Sequence, residues 1–131
     1  YGKKIEKYAL LKWEENISKN YLEQYPKKTI ETTDHINPKN MNGYNTDVAK
    51  DNHLKTRHLW GNLLPMSSKL NSKKRATRDM TKIYKLLSNH SSFKSTKQWY
   101  DTYKKNKVFE HKEIMKRSEE IAKWAIKRWP Y

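Results

Sequence analysis

The sequence predicts an α+β fold, mostly helical, with one pair of short strands in its middle. Three features predict it. Apolar residues recur at helical spacing towards both ends of the chain, as in Ile5, Ala9, Trp13 and Ile17. Two β-prone runs lie between those ends, at residues 29–33 and 58–64, and a polar, Asn-rich stretch separates them. At 131 residues the chain suffices for one domain with its own core. Only 34% of residues are apolar, but five Trp and nine Tyr each bury a large area, so a packed fold is expected.

The first stripe, flanked by Tyr8 and Leu11, gives a helix over about 3–22, and Pro26 ends any continuation. Thr29-Ile30-Glu31-Thr32-Thr33 is β-prone and leads straight into Asp34-His35. Residues 38–57 read as a long loop, a feature that tends to carry function inside a compact domain. His58-Leu59-Trp60-Gly61-Asn62-Leu63-Leu64 reads as a second strand bent at Gly61. After Pro65, Ser67 or Ser68 caps a helix bearing Lys69, Asn71 and Lys73. Met80, Ile83, Tyr84 and Leu87 form a further helical stripe, broken at Asn89-His90-Ser91-Ser92. Trp99 and Tyr103 mark a short helix. Ile114, Ser118, Ile121, Ala122, Ala125 and Trp129 line one face of the last helix, which Pro130 stops. Residues 1–131 thus form a single domain, with a core at about 29–78 and C-terminal helices at about 79–129.

With no cysteine, disulfides and any Cys-ligated zinc are excluded, and a cytoplasmic location is expected. No run of about 18 apolar residues is present, so no membrane-spanning helix is expected. The start at Tyr1, with neither Met nor the apolar segment of a signal peptide, suggests a fragment of a longer protein. Lys and Arg total 29 against 14 acids, a net charge of +15 that favours nucleic acid as partner. A solvated lysine-rich surface explains the charge alone equally well. An anionic membrane fits less well, because no helix joins a strongly basic face to a strongly apolar one.

The chemistry concentrates in Asp34-His35-Ile36-Asn37-Pro38 and in Gly61-Asn62-Leu63-Leu64-Pro65, followed by Asn71 and the cations Lys69, Lys73, Lys74 and Arg75. Phosphodiester hydrolysis needs a base for water near neutral pH, which His35 can be. It also needs charge neutralisation at the phosphate, and one carboxylate with an amide oxygen suffices to hold Mg²⁺ or Mn²⁺. Asp34 and Asn71 supply that pair. Adjacent strand residues face opposite sides, so Asp34 can hold the ion while His35 reaches water. Asn62 is expected to fix the His35 ring by a hydrogen bond, and the four cations to meet phosphates. The reading is a metal-dependent nuclease acting on DNA.

Those boxes resemble the HNH, or ββα-metal, nucleases, in the variant whose last motif position is Asn. They are similar to the HNH domain of CRISPR RNA-guided nucleases, and closer to the C-terminal HNH module of GmrSD-family type IV restriction enzymes. The downstream Phe93-Lys94 and the final helix with Arg117 and Trp129-Pro130 also match that family, so the resemblance spans nearly the whole chain. It implies a ββα-metal core with flanking helices, metal ligands Asp34 and Asn71, general base His35, and Asn62 as the middle polar residue. The family often has Glu where Asp34 stands, a difference of one methylene. It also implies restriction of foreign DNA and an N-terminal NTPase-like domain in the full-length protein.

Plainer roles stand beside these. Asn62 also suits a turn after Gly61, Asn71 a helix surface, and the lysines a solvated face. His53 and His58 read as structural, Glu31 and Asp47 as distant acids, His90 and His111 as surface. Trp13, Trp99, Trp124 and Trp129 read as core. The competing functions are a non-catalytic nucleic-acid-binding module with an HNH-like fold and an HNH toxin or homing-type nuclease.

Overall fold

The computed structural model describes residues 4–18, 32–74, 77, 79–91, 93–106 and 108–130. In chain order these form α1 (Lys4–Ser18), β1 (Thr32–His35), α2 (Asp47–Thr56), a 3₁₀ turn (Trp60–Asn62), β2 (Leu63–Met66), α3 (Ser68–Lys74), α4 (Met80–His90), α5 (Lys94–Tyr103) and α6 (His111–Arg128). The strands pair antiparallel, with Thr33 opposite Pro65, Asp34 opposite Leu64 and His35 opposite Leu63. Among the described residues each strand has one neighbour, so the N–H that Pro65 lacks interrupts no second ladder there. The chain is therefore α+β and mostly helical. Among the described residues no helix is long and apolar enough to cross a membrane.

The core runs from Ile36, Leu64 and Met66 through Leu70 and the α4 stripe to Trp99, Phe109 and Ile114. The α4 positions Met80, Ile83, Tyr84 and Leu87 are all buried, as their spacing predicts.

Helix α1 buries Ala9 and Trp13 of the predicted stripe, but its inward face is rotated away from Ile5. Ile5 is 69% exposed, whereas Glu6 and Glu14 are buried beside Ala9, Leu10 and Trp13. The acids have partners inside. Glu14 accepts the backbone N–H groups of Lys94 and Ser95, the latter at 2.7 Å, so it serves the start of α5 as a cap from another helix. Glu6 accepts from the Thr33 hydroxyl at 3.4 Å and ties α1 to β1.

Two further expectations change. Residues 38–57 are not all loop, since α2 occupies Asp47–Thr56 with Thr46 as its N-cap, accepting from the Ala49 N–H at 3.1 Å. Its apolar residues Val48 and Leu54 stay exposed and its buried positions are His53 and Thr56, so no apolar stripe announces it. The second strand begins at Leu63, because residues 60–62 coil into a 3₁₀ turn. Of the first β-prone run, residues 29–31 lie outside the described residues, as does the end of the first helix beyond residue 18.

Helix α6 lies on that 3₁₀ turn, and Gly61 permits the approach. A Cβ there would meet the Ile114 carbonyl oxygen at 2.2 Å and Ser118 Oγ at 2.3 Å, while the Gly61 N–H donates to that hydroxyl at 2.9 Å. Arg117, buried, donates from Nη1 to the carbonyls of Gly61 at 2.8 Å and Leu63 at 2.9 Å. Gly61→Ala should therefore destabilise the domain by about 1–3 kcal/mol, the range for overpacking. A lower urea midpoint at an unchanged slope checks this.

Candidate active site

Strand β1 ends on the Asp34-His35 pair, and the pleat sends the two side chains to opposite faces. His35 is 3% exposed. Its Nε2 lies 3.0 Å from Nδ1 of His58, with ring centres 5.2 Å apart, so the rings meet nearly end to end. One ring's N–H donates to the other's lone pair. Burial, reinforced by His58 and by the nearby cations Lys39 and Lys74, holds the His35 pKa down to about 4, with Glu6 opposing in part. His35 is thus a neutral imidazole at neutral pH. His58 faces solvent, and its pKa is also lowered, by burial first and then by Arg57 and Lys39.

On the other face, Asp34 Oδ2 stands 3.3 Å from Lys74 Nζ, and the Lys74 side chain is 1% exposed. Burial lowers the Lys74 pKa, and the Asp34 carboxylate opposes that shift. Helix α3 is oriented so that Leu70 and Lys74, four residues apart, point inward, while Lys69 and Lys73 point out. Ser67 caps it, accepting from the Leu70 N–H at 3.1 Å. Lys74, expected among the outward phosphate cations, is therefore turned inward to Asp34. Asn71 is half-buried one helical turn before Lys74. Arg75 lies outside the described residues.

Asn62 does not use its side chain as expected. It is fully buried. Its Oδ1 accepts from the Asn37 N–H at 2.8 Å, and its Nδ2 donates to the carbonyls of Asn37 at 2.8 Å and Arg57 at 2.9 Å. Its backbone carbonyl accepts from Ile36 N–H at 2.8 Å. Asn62 thus fastens the chain leaving β1, while His58 is the residue that meets the His35 ring. The reason is placement: the 3₁₀ turn aims the amide at the loop behind β1.

Three residues of the site escape sequence reasoning. His58 reads as structural because nothing local distinguishes it from His53. Asn37 fills a variable position, yet its amide donates to Tyr44 Oη and to the Phe109 carbonyl, both at 2.9 Å. Arg117 is visible only through the family resemblance.

A family model described as "GmrSD restriction endonucleases, C-terminal domain" matches residues 1–124. The chain belongs to this family. No curated protein and no solved structure matches it. In this GmrSD C-terminal domain the match covers both strands, α3 and most of α6, so the Asp34-His35 pair and the helix that braces it fall within one family unit.

The His35 shift links pH to stability in the GmrSD domain. His35 takes up a proton at about pH 4 when folded, against an ordinary value of 6.5. Between those values the unfolded chain binds more protons, so this contribution is complete above the window and lost as pH falls through it. The melting temperature of the wild type should accordingly fall more steeply from pH 7 to pH 4.5 than that of His35→Gln. Parallel curves would show that His35 is not held neutral by the fold.

Proposed function

We propose that this domain is a divalent-metal-dependent endonuclease of the HNH type that hydrolyses DNA phosphodiester bonds in restriction of foreign DNA. One observation carries the reading: β1, β2 and α3 converge on a single dipeptide, with Asp34 meeting a buried cation on one face and His35 a second imidazole on the other. Two paired antiparallel strands followed by α3, with α2 and the 3₁₀ turn between the strands, are compatible with a ββα-metal core. Family membership supports the class of activity.

The donor set suits Mg²⁺ or Mn²⁺. Asp34 already faces one cation, the Lys74 ammonium, in a setting largely closed to solvent. No group of three or more His, Cys, Asp or Glu side chains that could hold a metal occurs among the described residues. Mg²⁺ can be held by one carboxylate and an amide oxygen because it keeps several of its own waters. Asp34 and Asn71 would hold it. When bound, it would neutralise charge on the phosphate and the leaving oxygen.

The chain's own residues supply the rest. His35, neutral at the working pH, accepts a proton from water as the water oxygen bonds to phosphorus. The bond to the 3′ oxygen breaks and that oxygen takes a proton from solvent, leaving a 5′-phosphate and a 3′-hydroxyl. His58 holds the His35 ring through their shared hydrogen bond, and Asn62 holds the backbone from which that ring projects. Lys69 and Lys73 hold the flanking phosphates. A second reading exchanges the imidazoles: His58 is the solvent-facing ring, so it takes the proton and His35 orients it.

Supercoiled-plasmid cleavage tests the reading. Nicking or linearisation is expected with Mg²⁺ or Mn²⁺ and none with EDTA. Asp34→Ala and His35→Ala should each lower the rate by about a hundredfold or more. His58→Ala should cost less than His35→Ala if His35 is the base, and more if the roles are exchanged. DNA binding without cleavage under any metal would instead make the domain a binding module.

A further inference from the structure

Helices α3 and α4 pack side by side next to the site, and between them runs an open groove of about 420 Å³. Lys73, Lys74, Thr77, Lys82, Lys85 and Asn89 line it together with one apolar residue, Leu86, and among the described residues no acid does. Lys82, Lys85 and Asn89 follow one another at spacings of three and four residues, so they form a single row along α4. The opposite face of α4 is the buried stripe of Ile83 and Leu87, which fixes that row outward. Lys73, Lys82 and Lys85 are exposed and have no acidic partner among the described residues. The acid nearest in sequence, Asp79, is occupied in capping α4 through the Lys82 N–H at 3.2 Å.

Lys74 joins this groove to the site, since it lines the groove while its ammonium reaches Asp34. A polyanion lying along Lys85, Lys82 and Lys73 would lie one side chain, Lys74, away from the Asp34 carboxylate. Cations at regular spacing without acidic neighbours, with a hydroxyl and an amide among them, suit a repeating phosphate backbone rather than a single small anion.

We infer that the α3–α4 groove is the track for the sugar-phosphate backbone of the DNA strand, with Lys82 and Lys85 as phosphate-binding residues leading towards Asp34. This rests on the nuclease reading and adds the path of the substrate to it.

The test is the salt dependence of binding to a short fluorescent DNA duplex in EDTA, with cleavage measured separately in Mg²⁺. Lys82→Ala/Lys85→Ala is compared with Lys116→Ala/Lys123→Ala, two exposed lysines of α6 whose removal changes net charge equally. Removing one phosphate-binding lysine should flatten the slope of log K against log salt by about 0.9, so the groove variant should flatten it by about 1.8 and the α6 variant hardly at all. The groove variant should also cleave with a raised KM and a kcat near that of the wild type, and Lys82→Arg/Lys85→Arg should restore the slope. Equal slopes for the two alanine variants, with a wild type that binds and cuts, would overturn the groove and leave the nuclease reading intact. A wild type that neither binds nor cuts would overturn both.

Discussion

A single buried guanidinium organises the middle of this domain. Arg117 projects from α6 into the turn before β2 and is fully withdrawn from water, which presses its pKa down to about 10 and still leaves it a cation at neutral pH. A buried charge persists where hydrogen bonds replace lost solvent, and the carbonyls of Gly61 and Leu63 provide them at Nη1. Leu63 is also the residue paired with His35 across the ribbon, and Asn62, between the two clamped carbonyls, grips Asn37 on the far side of β1. The position of His35 therefore depends on a helix that begins more than seventy residues later. Gly61 is the steric condition for this, because any side chain there would hold α6 away.

Charge is arranged around that brace with a consistent sense. Acids are scarce, and three of them turn inward: Glu14 to the first amides of α5, Glu6 to Thr33, and Asp34 to Lys74. Each satisfies a buried donor, so each is withdrawn from the surface, where cations then dominate. The excess that gives +15 is thus not spread at random. It leaves exposed cations in excess and a carboxylate facing a cation where the strands and α3 meet.

The site is legible in the sequence to the extent that its parts are local. Asp34 and His35 are adjacent, so a strand separates their side chains onto two faces, whatever else the fold does. The α4 stripe and the Ser67 cap are legible for the same reason, being patterns within a single turn or two of chain. Helix α2 is not, because its buried side chains are a histidine and a threonine and its apolar ones face solvent. The inward face of α1 departs from its apolar spacing because two glutamates are buried there by partners on α5 and β1, which no reading of α1 alone can supply.

The sequence by itself determined the class of fold, the adjacency of Asp34 and His35, the cationic excess, and the family resemblance. All of these follow from composition, periodicity or short motifs. Only the tertiary structure decided that His58 and not Asn62 meets the His35 ring, that Lys74 turns inward to Asp34, and that Lys82 and Lys85 line one groove with Lys74. Those are pairings between residues far apart in the chain, and they exist because α3, α6 and the 3₁₀ turn dock at particular angles. The energies that set such angles come from packing and from buried hydrogen bonds, which the order of residues along the chain does not display.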